Sequence, residues 1–149
     1  MALLTPQAGP LPVGPHGPDS EAFWEGAKEG ELRFVRCTAC GEPDFPAAPH
    51  CRNCLSGALE WQVSAGHGTL YSYTIVWRPV TPDFSTPYAP AVVDLDEGYS
   101  MMTNLIGLDT ADIRIDMPVV VQFETLAGGL TLPYFRPLEA TGATSVTGA

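Results

Sequence analysis

Hydrophobic and polar positions alternate through most of the second half of the chain, and one short stretch near its start repeats at helical spacing. Phe23, Trp24 and Ala27 fall on one face of a helix. Before them, Asp19 or Ser20 suits a cap, and Glu21 suits a first turn that favours negative charge. Gly26 or Gly30 ends the element. Apolar helix faces ordinarily pack inward, so Phe23 and Trp24 are expected to cover a neighbouring ribbon or sheet. Residues 32–36 then alternate as a strand.

From Val63 the period is two, broken by turn residues, as in an all-β module. Residues 66–68, Gly-His-Gly, read as a turn or bulge. Residues 69–78 predict a long strand with Tyr71, Tyr73, Ile75 and Trp77 on one face. Residues 79–87 form a loop with Pro79, Pro82 and Pro87 around an apolar Phe84. Strands follow over 91–95 and 99–106, joined at Asp96-Glu97-Gly98. A last hairpin, 119–125 with 130–135, turns at Ala127-Gly128-Gly129. Five strands with a long insertion between the first pair predict a small, partly open OB-fold barrel.

Between helix and barrel lie all four cysteines, as Cys37-x-x-Cys40 and Cys51-x-x-Cys54. Two thiolates three positions apart on a tight turn grip one metal, and a second such turn completes a tetrahedral sulfur cage, which suits zinc. Gly41 follows Cys40, where the turn needs a positive φ. Disulfides require an oxidising compartment, and no secretory signal precedes them. A thioredoxin-like site requires a βαβ pattern that is missing. Four sulfurs fill the coordination sphere, so a structural Zn2+ at Cys37, Cys40, Cys51 and Cys54 is expected, with His50 a solvated neighbour. The reading is mainly β: an N-terminal helix, a rubredoxin-like zinc ribbon, then a five-stranded OB-fold barrel.

Composition narrows the partners. The 149 residues carry 17 acidic and 7 basic side chains, a net charge of −10. Such a surface repels phosphate backbones, so no nucleic-acid partner is expected, although aromatic strands of OB-folds can stack bases. No run approaches the roughly 18 apolar residues of a membrane span. Residues 1–18 are proline-rich and carry no positive charge near their start, so they read as a flexible arm or linker and the protein as cytoplasmic. The expected boundaries are 1–18 for the arm, 19–31 for the helix, 32–61 for the ribbon, 62–137 for the OB-fold and 138–149 for a disordered tail.

Catalytic chemistry is hard to place. The metal claims every cysteine, and His16, His50 and His67 stand in the arm, the ribbon loop and a turn. Asp94, Asp96 and Glu97 read as a solvated hairpin tip. Tyr71, Tyr73, Trp77 and Phe84 instead suit a hydrophobic protein partner or an acyl chain.

A Phe-Trp helix, Cys37-x-x-Cys40-Gly41, Cys51-x-x-Cys54, Leu59-Glu60-Trp61, Gly66-x-Gly68 and Tyr71-Ser72-Tyr73-Thr74 follow in order. With Leu95-Asp96-Glu97-Gly98 and Leu132-Pro133-x-Phe135-x-Pro137, they resemble the zinc-ribbon/OB-fold family once catalogued only as a domain of unknown function. The resemblance runs from about residue 19 to 137. It implies an accessory subunit rather than an enzyme, in a hetero-oligomer with a thiolase-like enzyme and in some cases an acyl-CoA hydratase. The best specific expectation is the partner of an actinobacterial aldolase of steroid side-chain degradation. It also implies contact with a coenzyme A thioester, shared with a partner that supplies most of the cations. The alternatives are a free-standing acyl-CoA-binding module and an OB-fold nucleic-acid binder.

Overall fold

The computed structural model of the protein describes residues 1–139. The expected tail lies outside the described residues from position 140 onward.

A 3-10 turn, Pro18–Ser20, leads into α1 (Glu21–Lys28). Ser20 is the N-cap residue, but its hydroxyl donates back to the Gly17 carbonyl at 3.0 Å, and the expected side-chain cap is not made. Packing anchors the helix instead. Phe23 and Ala27 are buried, and a Cβ at Gly26 would strike the Arg33 side chain. Gly30, at φ +78°, ends the helix in the left-handed region, and the Glu31 N–H reaches back to the Gly26 carbonyl at 2.8 Å.

The ribbon is a three-stranded antiparallel sheet, β2 (Pro43–Asp44), β1 (Arg33–Cys37) and β3 (Leu59–Val63), with β1 in the middle. Five strands follow: β4 (His67–Tyr73), β5 (Ala89–Leu95), β6 (Ser100–Leu105), β7 (Pro118–Thr125) and β8 (Thr131–Pro137). They close in the order β4-β5-β6-β8-β7. The fold is therefore mainly β, with one short N-terminal helix, a ribbon and an OB-fold barrel. Where a partly open barrel was expected, the seam is shut by one parallel residue pair, Leu105 with Phe135. The Thr103 hydroxyl adds a bond across it to the Pro133 carbonyl at 2.8 Å.

Alternation builds the barrel core. Along β5, Ala89, Ala91, Val93 and Leu95 are buried and the residues between them are half-buried. Leu70, Val93, Val119 and Phe135 share one buried cluster with Phe23, Leu32 and Phe34, so helix, ribbon and barrel enclose a common core. Phe34 stacks on Tyr99 at 4.7 Å, and Phe45 meets Phe23 at 5.1 Å. Such pairs add about 0.5–1.5 kcal/mol each beyond burial.

Three expectations are revised. The strand expected over 69–78 ends at Tyr73, after a bulge between Leu70 and Ser72. Its neighbour β7 pairs only with residues 67–69, and on the β5 side pairing past Tyr73 is reduced to the Thr74 N–H on the Pro90 carbonyl at 3.0 Å and a lone bridge between Val76 and Tyr88. His67, expected in a turn, is the first residue of β4. Residues 1–18 do not behave throughout as a free arm. Leu4 is buried, its N–H donates to the Leu108 carbonyl at 2.9 Å, and its carbonyl accepts from Gly107 at 2.9 Å. The Ala8 carbonyl accepts from Ala127 at 2.9 Å. Prolines set the composition of a linker, but the peptide groups of Ala2, Leu4, Gln7 and Ala8 pair with the barrel and the segment that precedes β7.

Candidate metal centre and docking face

The Cys37 turn hydrogen-bonds Gly41 N–H to the Cys37 carbonyl at 2.8 Å, and the Cys51 turn does the same from Leu55 to Cys51 at 2.9 Å. Gly41 (φ +82°) and Leu55 (φ +65°) occupy equivalent left-handed positions, so only one of the two turns uses glycine. Strand β1 delivers Cys37, and the opposite turn delivers Cys51; both are buried, while Cys40 and Cys54 are exposed.

The four sulfurs lie within 4.8 Å of one another, with 3.6 Å from Cys37 to Cys54 and from Cys40 to Cys51. Four thiolates on a zinc tetrahedron stand about 3.8 Å apart, given the usual zinc–sulfur bond, so size and donor chemistry both suit zinc. Donors aimed at the sulfurs strengthen the fit. The Asn53 side-chain amide donates to Cys40 Sγ at 3.5 Å, and the Asn53 backbone N–H donates to Cys51 Sγ at 3.4 Å. The Asn53 amide, with help from the backbone near Glu42, draws the Cys40 thiol down to about 6, while Cys54, though lowered by the backbone near Ser56, is pushed up to about 12 by the neighbouring Cys37 sulfur, so the metal fit rests on the geometry of the tetrad. Arg52 braces the intervening loop through Asp44 at 3.2 Å and the Pro46 carbonyl at 3.1 Å. No fifth ligand position is needed, and exposed His50 stands outside the tetrad.

The aromatic residues are less uniform than the alternation implied. Tyr71 is 64% exposed, Trp77 55% and Tyr73 38%, whereas Ile75 packs against the core. Phe84 is half-buried and stacks on Tyr88 at 5.6 Å. The structure therefore presents Tyr71, Tyr73 and Trp77 to solvent and turns Phe84 partly inward. Arg78 lies exposed beside them.

A groove of about 230 Å³ runs between helix, ribbon loop and barrel seam, lined by Trp24, Phe45, Met102, Asn104 and Leu132 among others. Its lining carries no charged side chain. The buried Asn104 Oδ1 in its wall accepts no hydrogen bond among the described residues. His16, read from sequence as an arm residue, stacks on Trp24 at 4.5 Å.

Sequence reading missed Glu97 and Gln7. Glu97, placed on a solvated tip, binds the link between ribbon and barrel through Ser64 and Ala65. Gln7 is buried and paired to the loop that carries Phe84. Neither has a local pattern that announces its partner, which lies 33 positions away in one case and 78 in the other.

A closed five-stranded barrel fronted by a four-cysteine ribbon defines the zinc-ribbon/OB-fold proteins. Residues 24–60 match the ChsH2 rubredoxin-like zinc ribbon domain, and residues 61–124 match the ChsH2 C-terminal OB-fold domain. The chain belongs to the ChsH2-type DUF35 family. It is 38% identical to a solved chain of the "Ltp2-ChsH2(DUF35) aldolase", with a TM-score of 0.77 over 84% of this chain and 98% of that one. It is 42% identical to a probable enoyl-CoA hydratase alpha subunit of Thermomonospora curvata over 78% of its own length. It is 37% identical over 68% of its length to the 3-oxo-4,17-pregnadiene-20-carboxyl-CoA hydratase alpha subunit of Mycobacterium tuberculosis. The chain spans only 37% and 32% of those two subunits.

Proposed function

We propose that this protein is a non-catalytic accessory subunit or domain that docks on and supports a thiolase-like enzyme acting on acyl-CoA thioesters. The observation that carries the reading is its likeness, along nearly the whole solved chain, to the DUF35 component of an aldolase. The best specific partner is an aldolase that shortens steroid side chains, and the pregnadiene-carboxyl-CoA named for one relative supports that substrate class. The hydratase names of the two alpha subunits support a second association, with an acyl-CoA hydratase.

In this reading the zinc held by Cys37, Cys40, Cys51 and Cys54 is structural. When bound, it supplies folding energy to the ribbon and no reaction step. The docking face is built from Tyr71, Tyr73, Trp77 and Phe84: three exposed aromatics on and just beyond β4, beside a half-buried one on the proline-framed loop, provide apolar area at little entropic cost. A coenzyme A thioester is shared between the two proteins. The uncharged groove of about 230 Å³ is smaller than the pockets of roughly 300–1,000 Å³ that enclose whole ligands. The partner supplies the cations that phosphates need.

Affinity capture from the native cell, followed by mass spectrometry, tests the reading. A thiolase-fold enzyme recovered in stoichiometric amount supports it, provided the zinc-loaded chain alone turns over no acyl-CoA thioester. Turnover by the partner-free chain would overturn it. Tight binding of fluorescent acyl-CoA to the lone chain, with no enzyme recovered, would favour a free-standing acyl-CoA module. Tight binding of single-stranded DNA would favour a nucleic-acid binder.

A further inference from the structure

The proline-framed loop is tethered by a residue 78 positions earlier. The Gln7 side-chain amide donates from Nε2 to the Ser85 carbonyl at 2.9 Å and accepts at Oε1 from the Ser85 N–H at 2.8 Å. One planar amide thus pairs with one peptide unit in both directions, as a neighbouring strand would. Gln7 is itself fixed, because its backbone N–H donates to the Tyr134 hydroxyl at 3.1 Å. On either side, Leu4 and Ala8 pair with barrel peptides at 107–108 and 127. Phe84 turns toward this strap, and together with Gln7, Leu11 and Tyr88 it encloses a cavity of only about 50 Å³.

Among the described residues, the two bonds with Gln7 are the only hydrogen bonds from residues 79–87 to the rest of the chain. The loop's other bonds are internal, from Phe84 N–H to the Thr81 carbonyl and from the Thr81 hydroxyl to Asp83. Prolines fix some dihedrals of this loop but cannot fix its position on the barrel. A loop free to move would lose that freedom on docking, and a loop already pinned does not.

We infer that Gln7 is a positioning residue for partner docking: the strap of residues 1–11 holds the 79–87 loop in its docking conformation. The inference rests on the proposed docking face. It adds the N-terminal strap to the apparatus, although the strap's own side chains need not touch the partner. Gln7→Met is the deciding variant, since it fills similar space without hydrogen bonds.

The test measures hydrogen exchange at the Ser85 amide in the full chain, and affinity for the thiolase-like enzyme that co-purifies with it. Gln7→Met should deprotect Ser85 and raise the dissociation constant roughly tenfold, the worth of one or two net hydrogen bonds. Zinc content should stay at wild type, and melting temperature should fall by no more than the few degrees that one or two lost hydrogen bonds imply. Protection retained in Gln7→Met overturns the inference, and so does protection lost with affinity unchanged. Trp77→Ala separates that failure from failure of the docking face. If Trp77→Ala weakens binding while Gln7→Met does not, the face stands and the strap is only structural. If neither does, the face is elsewhere and both fail.

Discussion

The Ser64 hydroxyl donates to Glu97 Oε1 at 2.6 Å, joining the end of the ribbon to the tip of the β5–β6 hairpin. The second carboxylate oxygen accepts from the Ala65 N–H at 2.8 Å, and Ser64 Oγ accepts from the Gly66 N–H at 3.0 Å. Glu97 thus holds Ser64 and Ala65 directly, and Ser64 in turn holds the Gly66 N–H. Positive φ at Gly66 permits the turn, and a Cβ there would strike Val121. The orientation of ribbon on barrel rests on this latch together with the shared core.

Removing the latch should therefore loosen the link and leave the metal untouched. Glu97→Ala should destabilise the protein by about 1–2 kcal/mol, because it takes the acceptor from the buried Ser64 hydroxyl, while the exposed Ala65 amide turns to water. Glu97→Gln keeps an acceptor and should cost less. Thermal melting beside zinc analysis checks this. A Glu97→Ala protein that melts like wild type would leave the orientation to the core alone.

The metal centre gives a second prediction. Elemental analysis should find one zinc per chain, since the four sulfurs form a single closed tetrad. Cys40→Ser should lose zinc and solubility together, because zinc binding supplies on the order of 10 kcal/mol to a ribbon's folding. Retention of stability and partner binding in a zinc-free variant would exclude a structural role.

Tyr99 supplies a pH prediction. Burial pushes its hydroxyl up to about 12. Among the described residues the buried Tyr99 hydroxyl has no hydrogen-bond partner. A raised folded-state value means that the unfolded chain ionises first. Stability from neutral Tyr99 is complete below about pH 10, the ordinary tyrosine range, and is lost as pH rises toward 12. Tyr99→Phe should keep the Phe34 stacking and shed the unsatisfied hydroxyl. It should therefore match or exceed wild-type stability at pH 7 and lose less between pH 10 and 12. Denaturant melts at pH 7 and pH 11 decide; an equal alkaline loss in both proteins would assign it to other groups.

The residues legible in sequence were those whose structure is local. Cys37 and Cys40 share one turn, as do Cys51 and Cys54, and metal-ligand spacing is a property of the turn itself. Val93 and Leu95 announced a strand because alternation survives wherever one face is buried. What sequence hid depends on partners far along the chain. Tyr73 ends β4 because β7 no longer pairs beside it and the β5 side thins to a single bridge, Val76 with Tyr88, although β-forming residues continue to Trp77. Leu4 is pinned by peptides at 107 and 108 that no composition rule links to a proline-rich start. Glu97 resembled a solvated charge because Ser64 and Ala65 meet it only after the ribbon has folded onto the barrel.

The docking face gives the last prediction, and the structure changes which residue probes it best. Phe84 lies in a loop, where strand alternation does not force it inward. In the fold it stacks on Tyr88 and borders the Gln7 cavity, so Phe84→Ala should disturb the loop as well as any contact. Tyr71, 64% exposed on the outside of β4, and Trp77, 55% exposed beyond its end, carry little of the barrel's own packing. Tyr71→Ala and Trp77→Ala should leave melting temperature and zinc content near wild type, since exposed substitutions shift stability by about 0.5 kcal/mol or less. If these residues anchor the thiolase-like partner, each change should weaken association by roughly 1–3 kcal/mol. Phe84→Ala should weaken association and also lower the melting temperature. Calorimetric titration of each variant with the purified partner, beside its thermal melt, reads both quantities. Full affinity in Tyr71→Ala and Trp77→Ala would move the interface off this face. A stability loss in those two variants as large as their affinity loss would show that they serve the fold rather than the partner.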